Sequence, residues 1–120
     1  LPERDSALVN ADAIKTSAGA LHKIPVCRVT NLKKTVSYLS EAGLTVVGCT
    51  EKAEKKISDH SLKGPMAIIM GSEEDGIDNK LLVKCDHLVK IPLMGSIQSL
   101  NVSVASAIMI YEVQRQQNIV

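Results

Sequence analysis

Met66-Ala67-Ile68-Ile69-Met70 runs into Gly71-Ser72-Glu73-Glu74-Asp75-Gly76, and Leu88-Val89-Lys90-Ile91 runs into Pro92-Leu93-Met94-Gly95. Ser99-Leu100-Asn101 then opens an apolar stretch that reaches Gln116. Twice a short run of buried types is cut by glycine or proline, which ends a strand. After the first cut, Asp78 opens a helix carrying Leu81 and Leu82; after the second, Asn101 caps a long one. Strand, turn, helix, strand, loop, helix is the grammar of an α/β layer with a mostly parallel sheet.

Working outward from that stretch, residues 44–49 form another nearly continuous apolar run, as a strand covered on both faces requires. A helix precedes it, with Asn31 as cap, Leu32, Val36 and Leu39 on one face, and Gly43 at the end. Residues 24–29 read as a short strand with Pro25 near its start, and residues 10–20 as a short helix capped by Asn10. Residues 50–64 are polar and lysine-rich, and read as a loop with one exposed helical turn. No internal repeat or low-complexity tract interrupts this order.

The 120 residues suit one small domain, and 45 % hydrophobic content is globular rather than disordered. No apolar run approaches the ~20 residues of a membrane span, and the first residues lack the pattern of a signal peptide; cytoplasmic residence is the expectation. Cys27, Cys49 and Cys85 form no Cys-x-x-Cys pair and read as buried reduced thiols, with zinc disfavoured. His22, His60 and His87 have no paired spacing, so no metal is expected. A net charge of +1 with two Tyr, no Phe and no Trp offers no strong electrostatic footprint and no stacking platform for single strands. Arg4, Lys15, Lys23, Arg28, Lys33 and Lys34 in the first third fit phosphate contacts and an ordinary solvated charge set equally.

Gly71 to Gly76 has the G-x-x-x-x-G spacing of a phosphate loop, but Ile77-Asp78 stand where Lys and Ser/Thr are needed. Glu73, Glu74 and Asp75 would also repel a triphosphate. An acidic turn suits a cationic ligand, or simply caps the following helix. The 91–100 loop is rich in buried types although proline and glycine deny it regular structure. Such a loop suits an adenine between apolar faces, or plain packing under the last helix. That last helix is apolar nearly all round, through Val102, Val104, Ala105, Ala107, Ile108, Met109, Ile110 and Val113, so two buried faces are expected.

Taken in order and spacing, the Met70–Ile77 segment, Cys85-Asp86-His87, Ile91–Gly95, the Ser99–Ala105 string and the Tyr111–Gln116 helix end resemble the second and third motifs of the SpoU (TrmH-type) RNA ribose 2′-O-methyltransferases. The likeness covers residues 1–116, and the Ser-Leu-Asn-Val-Ser-Val-Ala string is most similar to members acting on a guanosine of 23S rRNA. It implies a trefoil-knotted SPOUT methyltransferase fold, with the 91–100 loop and the following helix as the knotted part. Residues 1–120 would be a single catalytic domain, truncated at its start by one strand–helix unit. The family's first motif, an Asn-x-Gly-x-x-x-Arg pattern, has no match here: neither Arg4 nor Arg28 sits on it.

The resemblance further implies S-adenosylmethionine as cofactor, held by Gly71, Ile91 and Leu100 with Leu93 and Met94 in the same pocket. It gives Glu73 and Asn101 catalytic positions, although helix capping alone explains an Asn at 101. It places Lys15 and Ser103 on the substrate side. It implies a homodimer through the 101–116 helix and RNA as partner, rRNA ahead of tRNA. The alternatives are a tRNA ribose methyltransferase or a non-catalytic knotted relative acting as RNA-binding scaffold. Without the first-motif arginine, these residues alone are expected to be inactive.

Overall fold

The computed structural model describes residues 1–4, 6, 8–72, 74–96 and 100–118. Backbone contacts divide the chain into two units, Leu1–Thr35 and Val36–Val120.

In the first unit, α1 (Ala11–Thr16) starts where Asn10 Oδ1 accepts from the Ala13 amide, as its sequence predicts. A 3-10 turn, Ala20–Lys23, follows Gly19. The strand expected over residues 24–29 is absent. Only Val29 forms a parallel bridge, to Pro2, with Val29 N donating to Leu1 O and Glu3 N to Val29 O at 2.8 and 2.9 Å. Pro25 removes one donor, and Ile24 and Val26 stay exposed, so no apolar face drives a longer ladder, and Cys27, expected to be buried, is exposed with them. α2 (Leu32–Glu41), whose residues from Val36 on belong to the second unit, opens on Asn31, whose side chain accepts from Lys34 N.

The second unit holds a three-stranded parallel sheet of β1 (Thr45–Cys49), β2 (Met66–Met70) and β3 (His87–Val89), in the order β2-β1-β3. β1 is the centre, pairing Thr45 with Met66 through Cys49 with Met70 on one side, and Val47 with His87 through Cys49 with Val89 on the other. Val46 and Val47 are fully buried on opposite faces, which explains the unbroken apolar run. Asp86 reinforces the start of the ladder: its Oδ2 accepts from Val46 N at 2.8 Å, and its own amide donates to Val46 O.

The Gly48 face looks toward Cys85, Leu88 and Ile77; a Cβ at Gly48 would lie 2.9 Å from Cys85 Sγ. The short helix α3 (Asn79–Leu82), capped by Asp78, buries Leu81. The opposite face carries the main core: Val47 and Val89 with Met109 and Val113 of α4 (Val102–Gln116).

Residues 50–64 form the expected loop with one helical turn, but that turn is not simply exposed. Ala53, Ile57 and Leu62 are buried, the last two in that same core, with Ile57 opening a 3-10 turn (Ile57–Asp59). The side-chain oxygen of Gln116 accepts from Leu62 N at 2.7 Å, and Gln117 Nε2 donates to Gly64 O at 2.9 Å, tying the end of α4 to this segment. No described helix is long and apolar enough to cross a membrane.

Candidate cofactor-binding site

In a parallel sheet the carboxyl ends of all strands lie on one edge, and loops leaving them enclose a crevice. Here that edge carries a cavity of about 580 Å³. β1 contributes Cys49, Thr50 and Glu51; β2 contributes Met70 and the turn Gly71, Ser72, Glu74, Asp75 and Gly76. Ile91, Leu93 and Leu100 come from the loop after β3, and Val102 and Ala105 from the start of α4.

The turn after β2 is tight. Ser72 and Gly76 exchange backbone hydrogen bonds of 3.2 and 3.0 Å, and Ser72 Oγ accepts from Asp75 N. A Cβ at Gly71 would lie 2.2 Å from the carbonyl carbon of Gly76, so position 71 admits glycine alone. Gly76 adopts φ of 69°, the left-handed geometry that closes the turn. The result is a closed turn bearing exposed carboxylates at Glu74 and Asp75, opposite the apolar wall of Ile91, Leu93 and Leu100.

Thr50 is 7 % exposed, and its hydroxyl accepts from Lys52 N at 3.2 Å, while its amide donates to Val89 O. Burial, followed by the charge of Glu51, pushes the Cys49 thiol above its ordinary value, so it faces the cavity as a neutral group.

Of the residues expected at a cofactor site, Gly71, Ile91, Leu93 and Leu100 meet in this cavity, although they span thirty positions of sequence. Met94 is a correction: it is 90 % exposed and lines nothing here, because the chain turns at Gly95 with φ of 76°. Asn101 caps α4, its Oδ1 accepting from Ser103 N at 2.9 Å and Val104 N at 3.4 Å. It thereby fixes the angle at which Leu100 and Val102 enter the cavity wall. Ser103 is exposed and outside the lining. Lys15 lies exposed on α1 in the first unit. Glu73 lies outside the described residues.

Sequence reading missed Cys49, Thr50 and Glu51. The available signal was their place immediately after the central strand. Sequence reading also missed a histidine contact: the His60 and His87 rings sit 4.9 Å apart. Burial first, then His87 and Lys55, hold His60 below its usual value against the opposing pull of Asp59. No third ligand joins them, since the described residues hold no group of three potential metal ligands.

The model of the SpoU rRNA Methylase family matches residues 1–111. The 23S rRNA (guanosine-2′-O-)-methyltransferase RlmB of Vibrio parahaemolyticus is 44 % identical over 117 residues, covering 98 % of this chain and 47 % of that protein. A putative TrmH family tRNA/rRNA methyltransferase of Staphylococcus haemolyticus is 40 % identical over 118 residues, with 98 % and 47 % covered. Among solved structures, the SpoU methyltransferase AviRb from Streptomyces viridochromogenes in complex with AdoMet superposes with a TM-score of 0.86 at 26 % identity, over 97 % of this chain and 48 % of its own. The AdoMet-bound rRNA methyltransferase from Sinorhizobium meliloti gives 0.87 at 25 %, over 96 % and 44 %. The chain spans about half the length of the curated relatives it matches.

Proposed function

The chain belongs to the SpoU rRNA methylase family, and from that footing we propose that it supplies the S-adenosylmethionine site of an enzyme that methylates a ribose 2′-hydroxyl of RNA, a guanosine of 23S rRNA foremost. The observation that carries the reading is the cavity at the carboxyl ends of three parallel strands, with an apolar wall on one side and an acidic turn on the other. The proposal includes the knot, with the 91–100 loop and α4 as the knotted part, and residues 1–120 as one catalytic domain acting in the cytoplasm.

When bound, the cofactor supplies an electrophilic methyl on a sulfonium. Ile91, Leu93 and Leu100 would give an aromatic base an apolar bed, with the backbone of the same loop available to its edge. Glycine at 71 lets the turn close back on Gly76 and so holds the turn's backbone at the cavity. Glu51, Glu74 and Asp75 favour a positively charged ligand over a phosphate. Asn101 orients the cavity wall through the helix start, and Glu73 is assigned to the polar set that faces the hydroxyl. Lys15 and Ser103 are assigned to the RNA side. Support for the developing oxyanion falls to the family's first-motif arginine, which these 120 residues do not contain. They are therefore expected to be inactive alone.

A homodimer through α4 belongs to the same reading. Val104, Ala107, Ile108 and Tyr111 form an exposed stripe at i, i+3, i+4 and i+7.

The test is transfer of labelled methyl to deproteinised rRNA by the protein expressed from its full reading frame. Transfer is expected, with Asn101→Ala and Glu73→Ala each losing ~10²–10³ in rate. Asn101→Asp, which keeps the cap, separates helix capping from a direct role. An inactive protein that still binds S-adenosylhomocysteine by calorimetry overturns the enzyme reading in favour of a scaffold.

A further inference from the structure

The connection from β1 to β2 does not simply cross the surface; residues 55–57 pair with Lys90, just past the end of β3. Ile57 N donates to Lys90 O at 2.8 Å, and Lys90 N donates to Lys55 O at 3.0 Å, which makes Lys56 and Lys90 parallel bridge partners. Bridge partners stand about 5 Å apart, with side chains leaving on the same face. Two like charges in that position repel. Lys56 is exposed and Lys90 half-buried, so solvent screens the pair only in part. The ion pair among the described residues, Arg115 with Glu112, includes neither of them.

A lysine at a sheet edge ordinarily guards against pairing with another chain. One charge suffices for that, and the edge beside Lys90 is already occupied by residues 55–57. The position of the pair suggests a different use. Ile91, the residue after Lys90, lines the cavity. The backbone thus sets the Cα atoms of two lysines side by side, one position in the chain from a residue of the wall of the proposed methyl-donor site, and the ion pairs among the described residues include neither lysine.

We propose that Lys56 and Lys90 form a clamp for one or two backbone phosphates of the substrate RNA, flanking the nucleotide presented to the cavity. The inference rests on the RNA methyltransferase reading above. A phosphate between the two ammonium groups converts their repulsion into two charge-assisted contacts. The clamp also explains how a chain of net charge +1 engages a polyanion: the positive potential is local and set by backbone pairing.

The experiment is fluorescence anisotropy of a labelled large-subunit rRNA hairpin with the protein expressed from its full reading frame, between 50 and 200 mM salt. Loss of two phosphate contacts in Lys56→Gln/Lys90→Gln lowers the slope of log affinity against log salt by about 1.5. The advantage of the wild type then shrinks about eightfold across that range. Lys56→Arg/Lys90→Arg keeps the slope, as does Lys84→Gln before the other end of β3. Calorimetric binding of S-adenosylhomocysteine stays unchanged in all variants, which also shows that they fold. An unchanged slope in the double Gln variant overturns the clamp, including the case where that variant merely aggregates more readily. A wild type that binds the cofactor product but no RNA overturns the clamp alone, and one that binds neither removes the methyltransferase reading with it.

Discussion

Along one side of α4, Ala105, Met109 and Val113 are covered, and Met109 is fully buried against Val47 and Val89. Along the other, Val104 and Ile108 are exposed, and Tyr111 is 60 % exposed. Both stripes repeat at helical spacing and both are built from apolar residues. The inner one is explained by the chain's own sheet, while the outer one stays exposed among the described residues. Hydrophobicity alone therefore marks two surfaces of different kinds: one that folds the unit, and one that stays exposed.

Met109→Ala should give the largest effect. It empties a fully buried site in the core and should destabilise by about 2–5 kcal/mol, read by urea unfolding. A loss under about 1 kcal/mol would erase the distinction between the faces. Gln116→Ala comes next. It leaves the Leu62 amide, in a partly buried setting, without the acceptor that now sits at 2.7 Å. The expected cost is about 1–3 kcal/mol, and faster hydrogen exchange at residues 60–64 would localise it.

Glu112 borders the two faces. Hydrogen bonds from Arg115 first and Gln116 second lower its carboxyl from 4.5 to about 2. A depressed folded-state value means stability that is present above pH 4.5 and lost as pH falls toward 2. Glu112→Gln should flatten that acid limb and cost only about 0.3–0.5 kcal/mol near neutrality, measured by thermal unfolding across pH. Tyr111→Lys should move stability least, within about 0.5 kcal/mol, while light scattering falls from twice the chain mass to one. A monomeric wild type would instead show that the outer stripe is not a self-association surface.

The elements whose structure depends on local chemistry were legible. Asn10, Asn31, Asp78 and Asn101 mark four helix starts because each side chain satisfies amides that the helix leaves unpaired. The apolar runs ending at Cys49 and Met70 are strands because the sheet is covered on both faces. Residues 50–64 were not legible in this way. Ile57 and Leu62 show no period, and their burial depends on Val89 of β3 and on α4, which arrive from thirty to fifty residues further on. The glycine turn and the apolar loop pointed to opposite walls of one cavity. The third wall, residues 49–51, follows from strand order, which periodicity does not disclose. Met94 shows the converse: an apolar type in an apolar loop is turned outward by the next residue's backbone.

The clasp between Gln116, Gln117 and residues 62–64 has a consequence for timing. Val47, Ile57, Leu62 and Val89 receive their cover from α4, the last element in chain order. On the ribosome the sheet is complete well before that cover has been synthesised. Its pairings are parallel and distant in sequence, which makes closure slow. A nascent chain interrupted before residue 102 thus presents a sheet with one bare apolar face, the form in which this unit is most exposed to aggregation and to chaperones.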